Sequence, residues 1–463
     1  MLERVGGIGG LLLVSALSNA AGFSAFTPLN GDVGAGTLPE ATPYRLSSAQ
    51  FTQHTLLAHE PAQTRRFDSG NYDMITANET GPDAGRYLFM PFETNQAGIQ
   101  RFDLRTQTVV TLWASPAAGP ALESYIAFDA SRWTPWGSLL TAEESWNKRP
   151  GTPSHYGRLL EVVNPLAEPV DIKLVHRNIV PRVAHEGLAF DANRNFYFID
   201  ERNKGHVFRY TSAQPHAKDG DTFFAAGQTF VLRVGDGLVN EATGAASWIP
   251  LTNPQGAPLP GAVVITDAKG LTAMDGAATP LLAAFRGTVF DRPEDIEIKT
   301  LKRGTQMLFV AATTQHKVFS IDLSSNVVKL FASQNTPDMA NGTRVGAAFL
   351  NPDNLAIDSQ GNIYIVEDQP GGVEDIWFAQ DKDEDGVAEA IGKWASLSTQ
   401  GAESTGLYFD KFNPDVAYVN VQHPRSGVDR TITITVSCPK EKSSSALVSL
   451  RKHDPLRLWA RVK

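Results

Sequence analysis

Cysteine is almost missing from this chain. Cys438 is the only one in 463 residues, so neither an internal disulfide nor a multi-thiolate metal site can form. Long hydrophobic runs are missing too. The one apolar stretch of any length ends near Phe26, and it is too short and too rich in Gly to span a bilayer. No extended amphipathic helical period and no strand–helix alternation runs through the chain, which argues against helical bundles and parallel α/β sheets. The phosphate-binding P-loop, the Gly-x-Ser-x-Gly elbow and the dinucleotide fingerprint are all absent. Positive charge is scarce: 41 Lys and Arg stand against 50 Asp and Glu, a net charge of −9. The final stretch, Pro439–Lys463, is locally basic, so the body is more acidic than the total. Such a body does not suit a nucleic-acid backbone. It suits cations. No nucleic-acid partner and no integral membrane segment are expected, and the chain is expected to be a monomer.

What is present fits a soluble protein with a sizeable core, 42% hydrophobic and 20% charged. The start has one Arg at Arg4, an apolar centre at Leu11–Val14, and Ser18-Asn19-Ala20. Residues 1–26 therefore read as a secretion signal, which would place the protein outside the cytoplasm or in the periplasm. The plainer alternative is an unstructured start.

The informative pattern lies in Asn351–Asp368. An acid, Asp353, precedes alternating apolar residues Leu355 and Ile357. A polar turn, Asp358–Asn362, leads into a second alternating run, Ile363–Val366, which ends on Glu367 and Asp368. Alternation around a Gly/Asn turn predicts an antiparallel hairpin with its acids gathered at one end. The layout recurs five more times, in Phe67–Glu93, Leu122–Glu144, His185–Glu201, Arg292–Thr313 and Ala402–His423. One or two further strand-like runs follow most hairpins. Units of about four strands at a period of roughly 50 residues predict the blades of a β-propeller.

The expected fold is therefore all-β, a six-bladed β-propeller over residues 45–437. A long insertion, about 211–285, falls between the third and fourth blades. It is either an excursion beside the channel or partly the outer strands of the third blade. Residues 438–463 form a basic, loosely ordered tail. Thr431–Val436 and Phe51–Leu57 are strand candidates that could complete one blade from both ends of the chain.

In a propeller, residues just before the first strand and just after the second converge at one mouth of the channel. The candidate metal ligands at those places are Glu93, Glu143, Glu144, Glu186, Glu294, Asp353, Glu367 and Glu403. Crowded carboxylates repel one another and need a cation to stay ionised. Oxygen donors without His or Cys suit Ca²⁺ or Mg²⁺. The competing reading is that each acid caps its own hairpin. Arg292 and His185 flank two of these acids and would suit an anionic substrate; alternatively Arg292 only neutralises its neighbours. Asp381-x-Asp383-x-Asp385-Gly386 opens like a calcium loop, but Gly392 stands where an EF-hand has its closing Glu. It is either a minor calcium turn or a solvated hairpin tip.

Several short motifs share an order. Thr141-Ala-Glu-Glu144, His185-Glu-Gly187, Arg292-Pro-Glu-Asp295 and Asn351-Pro-Asp-Asn354 come first. Ile376-Trp377 with the Asp381–Gly386 run, Ala402-Glu403-Ser-Thr-Gly406 and Gln422-His423-Pro424 follow. From about Phe67 to Pro424 the set resembles the PhoX-type alkaline phosphatases and their uncharacterised relatives. That resemblance implies a six-bladed propeller, export, and a calcium and iron cluster that hydrolyses phosphate monoesters. It implies Glu143 or Glu144, Glu186 and Glu294 as metal ligands, and Arg292 as the catalytic residue that holds the substrate phosphate. One position departs. The phosphatases carry a Cys, a thiolate ligand to iron, where this chain has Ala142. Without that soft donor the preference for iron is lost, so Ca²⁺ is the expected cofactor. The expected activity is calcium-dependent hydrolysis of a small phosphorylated substrate. The alternatives are a non-catalytic, calcium-stabilised propeller that binds a ligand or partner, and a lactonase-like metal hydrolase.

Overall fold

The computed structural model describes residues 22–59, 70–115, 125–145, 156–266, 270–369 and 373–437. The signal-like start up to residue 21, the lead-in at Phe67, the segment around Leu122, Cys438 and the basic tail lie outside the described residues. The chain is all-β. Among the described residues, apart from one four-residue α-helix, Gly220–Phe223, and three single 3₁₀ turns, the regular elements are strands. No helix among the described residues is long and apolar enough to cross a membrane.

The strands form antiparallel meanders, each made from consecutive segments. Thr76–Ala77, Tyr87–Phe92, Gly98–Asp103 and Thr108–Ala114 make the first, and Phe128–Trp133, Leu139–Glu143, Leu159–Val162 and Leu174–His176 the second. Two more meanders begin at Leu188–Phe190 and Pro293–Thr300. The strand Gly244–Pro250 joins them edge to edge into one nine-stranded sheet, pairing with Gly227–Val234 on one side and Val327–Ser333 on the other. A fifth meander starts at Pro352–Ile357 and carries the N-terminal strand Tyr44–Leu46 on its outer edge. The sixth runs Glu403–Phe409, Val416–Gln422, Asp429–Val436, and Phe51–His59 completes it by pairing with Asp429–Val436. The two ends of the chain thus share a sheet, as the alternation at Thr431–Val436 suggests.

The first strands of successive meanders pack side by side, so the arrangement is propeller-like. Thr405 Oγ1 donates to the Tyr72 carbonyl at 2.9 Å, tying the last meander back to the first. Between neighbouring sheets lie apolar layers. Tyr364, Ile376 and Trp394 of the fifth meander meet Leu407, Phe409, Val419 and Ile432 of the sixth. Phe23 is buried in that layer, with its ring 5.7 Å from Trp394 and 5.1 Å from Phe409.

The insertion is shorter than its composition suggests. Gly227–Val234 is the fourth strand of the third meander, and Gly244–Pro250 is the bridge to the next sheet. Gly- and Ala-rich neighbours hide the alternation of these two segments. The true excursion lies in 251–285, with a short hairpin of Val264–Thr266 and Thr272–Met274.

A repeated turn sits at the end of the hairpins away from the acids. Asn195 N–H donates to Asp191 Oδ1 at 2.7 Å, and the Tyr197 hydroxyl donates to Oδ2 at 3.1 Å. Asn362 and Tyr364 repeat this on Asp358 at 2.9 and 3.2 Å. The Asp side chain replaces a missing turn partner, which is why Asp opens so many of these turns.

At the other end, close approach of the inner strands depends on glycine. A Cβ on Gly187 would stand 2.4 Å from the backbone nitrogen of Ile296. Gly187→Ala is expected to lower stability by about 1–3 kcal/mol through overpacking against a backbone that cannot yield. A lower urea midpoint at constant m-value would confirm this. An unchanged midpoint would mean that the neighbouring strand can retreat.

Candidate metal centre

Five of the six inner strands are entered through the same local geometry. Asn71, Ala127, Arg292 and Asn351 have φ of 50°, 46°, 51° and 39°, and Gly401 has 74°. These left-handed residues turn the chain sharply into the first strand. Two positions later stand Asp73, Asp129, Glu294, Asp353 and Glu403. The third meander reaches Glu186 without a left-handed residue. The hairpin then returns to the same place. The backbone N–H groups of Glu93, Glu144, Glu201, Thr313 and Asp368 donate to the carbonyls of Asn71, Ala127, Ala184, Arg292 and Asn351 at 2.9–3.0 Å. Each unit thereby offers one acid entering its first strand, and most offer a second acid leaving the second strand.

These acids converge. Carboxylate oxygens of Glu186, Glu294 and Asp353 lie within 4.8 Å of one another, as do those of Asp73, Glu93 and Asp129, and those of Asp368, Glu374 and Glu403. Glu186, Glu294 and Asp129 are at most 3% exposed. Burial pushes the pKa values of Asp73, Asp129, Glu186 and Asp353 well above the usual carboxylate range. Neighbouring acids push further: Glu403 acts on Asp73, Asp73 on Asp129, Asp353 on Glu186, and Glu294 on Asp353. Because these influences cross between the triads, the three form one acidic basin. Burial, then Glu403, raises Asp368 to about 7.

The donor set fits a hard cation. Asp73 Oδ1 and Asp129 Oδ1 are buried with no hydrogen-bond partner among the described residues. Ca²⁺–oxygen distances of about 2.3–2.6 Å put two ligand oxygens no more than about 5 Å apart, and the spacing in each triad meets that limit. No Cys lies among the described residues. Ala142 is buried in an apolar cluster with Leu159, Val183 and Phe198. An iron site that depends on a thiolate at this position does not fit.

Arg292 sits at the rim, 36% exposed, with Nη2 at 3.0 Å from Glu201 and 2.8 Å from Glu294. Those carboxylates, with Asp353 and Glu186, offset its burial and hold it protonated. His423 Nε2 lies 3.3 Å from Glu403, which raises the imidazole pKa above its ordinary value.

Of the expected ligands, Glu93, Glu186, Glu294, Asp353 and Glu403 come together in the basin, and Glu144 acts electrostatically on Glu93 and Asp73. Glu143 and Glu367 do not join it. Glu143 lies opposite Phe128 in the sheet, and both its oxygens take hydrogen bonds from the Arg158 guanidinium, at 2.6 and 2.7 Å. Glu367 lies opposite Pro352 and accepts from Leu350 N–H at 2.8 Å and Trp377 Nε1 at 2.8 Å. In each acidic pair only the second residue faces the mouth, because successive strand side chains alternate. His185 is not a cation beside the site. Its ring is buried, and burial pushes its pKa down to about 3, leaving it neutral. Asp381, Asp383 and Asp385 gather at a separate hairpin tip, where Asp385 also pairs with Lys329 at 3.2 Å.

The sequence reading passed over Asp73, Asp129, Glu201, Asp368 and Glu374. Asp73 and Asp129 occupy the place of Glu294 and Asp353 in their own units, and Glu201 and Asp368 the place of Glu93. Aligning the units on their strand starts would have found all four. Glu374 enters from a loop and leaves no such signal. It accepts from the backbone N–H groups of Gln369 and Ser404.

The family model described as alkaline phosphatase PhoX matches residues 130–425. A comparison with curated protein sequences returns no match. Among solved structures, the chain is similar to Pseudomonas fluorescens PhoX, solved in complex with vanadate, a transition state analogue. The identity is 15% and the TM-score 0.60, covering 89% of this chain and 98% of that one. It is also similar to a candidate phosphatase from Bacteroides thetaiotaomicron at 12% identity, TM-score 0.47, covering 83% of this chain and 78% of that one. The PQQ-bound aldose sugar dehydrogenase from Streptomyces coelicolor gives 12% identity, TM-score 0.38, covering 84% of this chain and 99% of that one. With the family model spanning more than half of the chain, this protein belongs to the alkaline phosphatase PhoX family.

Proposed function

We propose that this chain is an exported, calcium-dependent hydrolase of phosphate monoesters, built as a six-bladed propeller with its reaction centre in the acidic basin. The observation that carries the reading is a half-exposed guanidinium at the rim of buried, converging carboxylates. Glu186, Glu294 and Asp353 would hold one cation, and Asp73, Glu93 and Asp129 another, with Asp368 and Glu403 on the remaining side. Bound Ca²⁺ would supply Lewis-acid polarisation of a phosphoryl oxygen and a more acidic water.

The chain's own groups do the rest. Arg292 Nη2, now shared between Glu201 and Glu294, would turn one or more N–H bonds to phosphate oxygens and fix the ester's orientation. Burial of the basin strengthens that attraction by excluding water from around the charges. The first-strand backbone, held by the repeated carbonyl contacts, keeps the carboxylates in place without rearrangement. A sulfur-free donor set favours Ca²⁺ over iron.

The test is hydrolysis of p-nitrophenyl phosphate by the full chain with added Ca²⁺, then with excess chelator. Turnover should disappear on chelation and return with Ca²⁺. Arg292→Ala should lower kcat/KM by about 100-fold, in line with loss of one charged donor to the transition state. Turnover that ignores the chelator, or that Arg292→Ala leaves intact, would overturn the reading. Calcium-dependent stabilisation without any turnover would instead favour a binding module.

A further inference from the structure

The far ends of the same inner strands enclose a second cavity, of about 440 Å³. Strand direction separates it from the basin. Asp129 stands at the basin end of Phe128–Trp133, while Ser131 and Arg132 line the cavity. Glu294 opens Pro293–Thr300, while Glu297 and Lys299 line it. Its chemistry is the opposite of the basin's. Each cation there already has a carboxylate. Arg132 pairs with Glu297 at 2.6 Å, Lys299 and Lys302 with Glu384 at 3.2 and 3.6 Å, and Lys411 with Glu79 at 2.5 Å. An anion would have to break one of these pairs, and the two lining acids without a cation, Asp358 and Asp410, already accept hydrogen bonds from Asn362 N–H and the Tyr364 hydroxyl, and from Phe412 and Asn413 N–H. Met74, Ile75, Leu355 and Leu407 supply apolar lining. Among them Ser131, only 4% exposed, presents a buried hydroxyl with no hydrogen-bond partner among the described residues.

Buried hydroxyls are normally satisfied, and a cavity of this size is typical of small-molecule sites. We propose that this end of the channel is a second ligand site, distinct from the acidic basin. It takes an uncharged organic molecule with an apolar body and a hydroxyl or amide group that bonds to Ser131. The reading is independent of phosphatase activity and of calcium.

The experiment uses the full chain and benzamide as the neutral probe, with benzoate as its charged counterpart, observed by saturation-transfer NMR. Benzamide should receive saturation from the protein, and benzoate at least fivefold less. Ser131→Ala should weaken the benzamide signal at least twofold, and Leu407→Trp, which fills the cavity, should abolish it. If Leu407→Trp fails to fold, Met74→Trp fills the same space from another strand. The calcium-dependent rise in melting temperature should be the same in Ser131→Ala as in the parent. No benzamide signal at millimolar concentration, equal signals from benzamide and benzoate, or signals unchanged by Ser131→Ala and a filling variant would each overturn the proposal.

Discussion

Stripping divalent cations is expected to lower the melting temperature of this protein by about 10 °C or more at neutral pH, since ligands that bind only the folded state add several kcal/mol each. The loss should also depend on pH, with a definite sign. Burial raises the pKa values of Asp73, Asp129, Glu186 and Asp353 in the folded chain. In the unfolded chain they titrate at about 4. Between those values the folded state keeps protons that the unfolded state has released, so its stability falls as pH rises. The basin's contribution to the stability of the metal-free protein should therefore be largest below the ordinary carboxylate range and shrink as pH rises above it, at up to about 1.4 kcal/mol per pH unit for each proton retained.

Adding Ca²⁺ should remove most of that slope, because a cation favours the ionised form and displaces the proton. Two measurements check this. One is a melting series with chelator across pH 5–8. The other is calorimetry of Ca²⁺ binding in Pipes and in Tris, whose ionisation heats differ. Binding should release protons, so the apparent enthalpies should diverge. Equal melting temperatures across the series, with no proton release, would mean that the basin is not the cation site.

Two neighbouring acids should give opposite phenotypes when changed. Glu143→Gln breaks a fully buried pair with Arg158, whose guanidinium reaches both Glu143 oxygens. Removing one partner of such a pair typically costs about 3–5 kcal/mol. The variant should melt early, yet what remains folded should keep its turnover and calcium response. Glu144→Gln leaves that pair alone and alters the basin, where Glu144 acts on Glu93 and Glu201. It should melt close to the parent in chelator and lose calcium affinity. Glu186→Gln, within the central triad, should do the same more strongly, with activity down by about 100-fold or more, as for loss of a metal-supporting group. Should Glu143→Gln lose activity at unchanged stability, the side-chain assignment along Leu139–Glu143 would be wrong.

Much of this centre is legible along the chain. The alternation at Leu355–Ile357 and Ile363–Val366 marks a hairpin, and its echo at Leu188–Phe190 and Phe196–Ile199 marks a repeat. The pairing of Phe51–His59 with Asp429–Val436 joins an early strand that pairs with no sequence neighbour to the free edge of the sixth meander. Other parts are not legible. Glu367 and Asp368 are adjacent and chemically alike, yet one caps Trp377 and the other faces Glu403. His185 reads as a cation beside an acid, but it lies against Phe198 and stays neutral. Gly227–Val234 is legible only as either loop or outer strand, because its neighbours are small.

The recurrence of strand pairs, and the acids at the ends of those strands, are written in the residues themselves. Both are local properties, carried by a two-residue period and by turn chemistry within a few positions. Which acid of each pair meets the others is set by the folded chain. That choice depends on the bulge at the start of several inner strands, between Phe128 and Ser131, Pro293 and Ile296, or Pro352 and Leu355. It also depends on partners brought from far along the chain, as Asn354 Nδ2 is brought to Glu186 at 3.3 Å. A one-residue shift there reverses the direction of every side chain, and no local pattern records it.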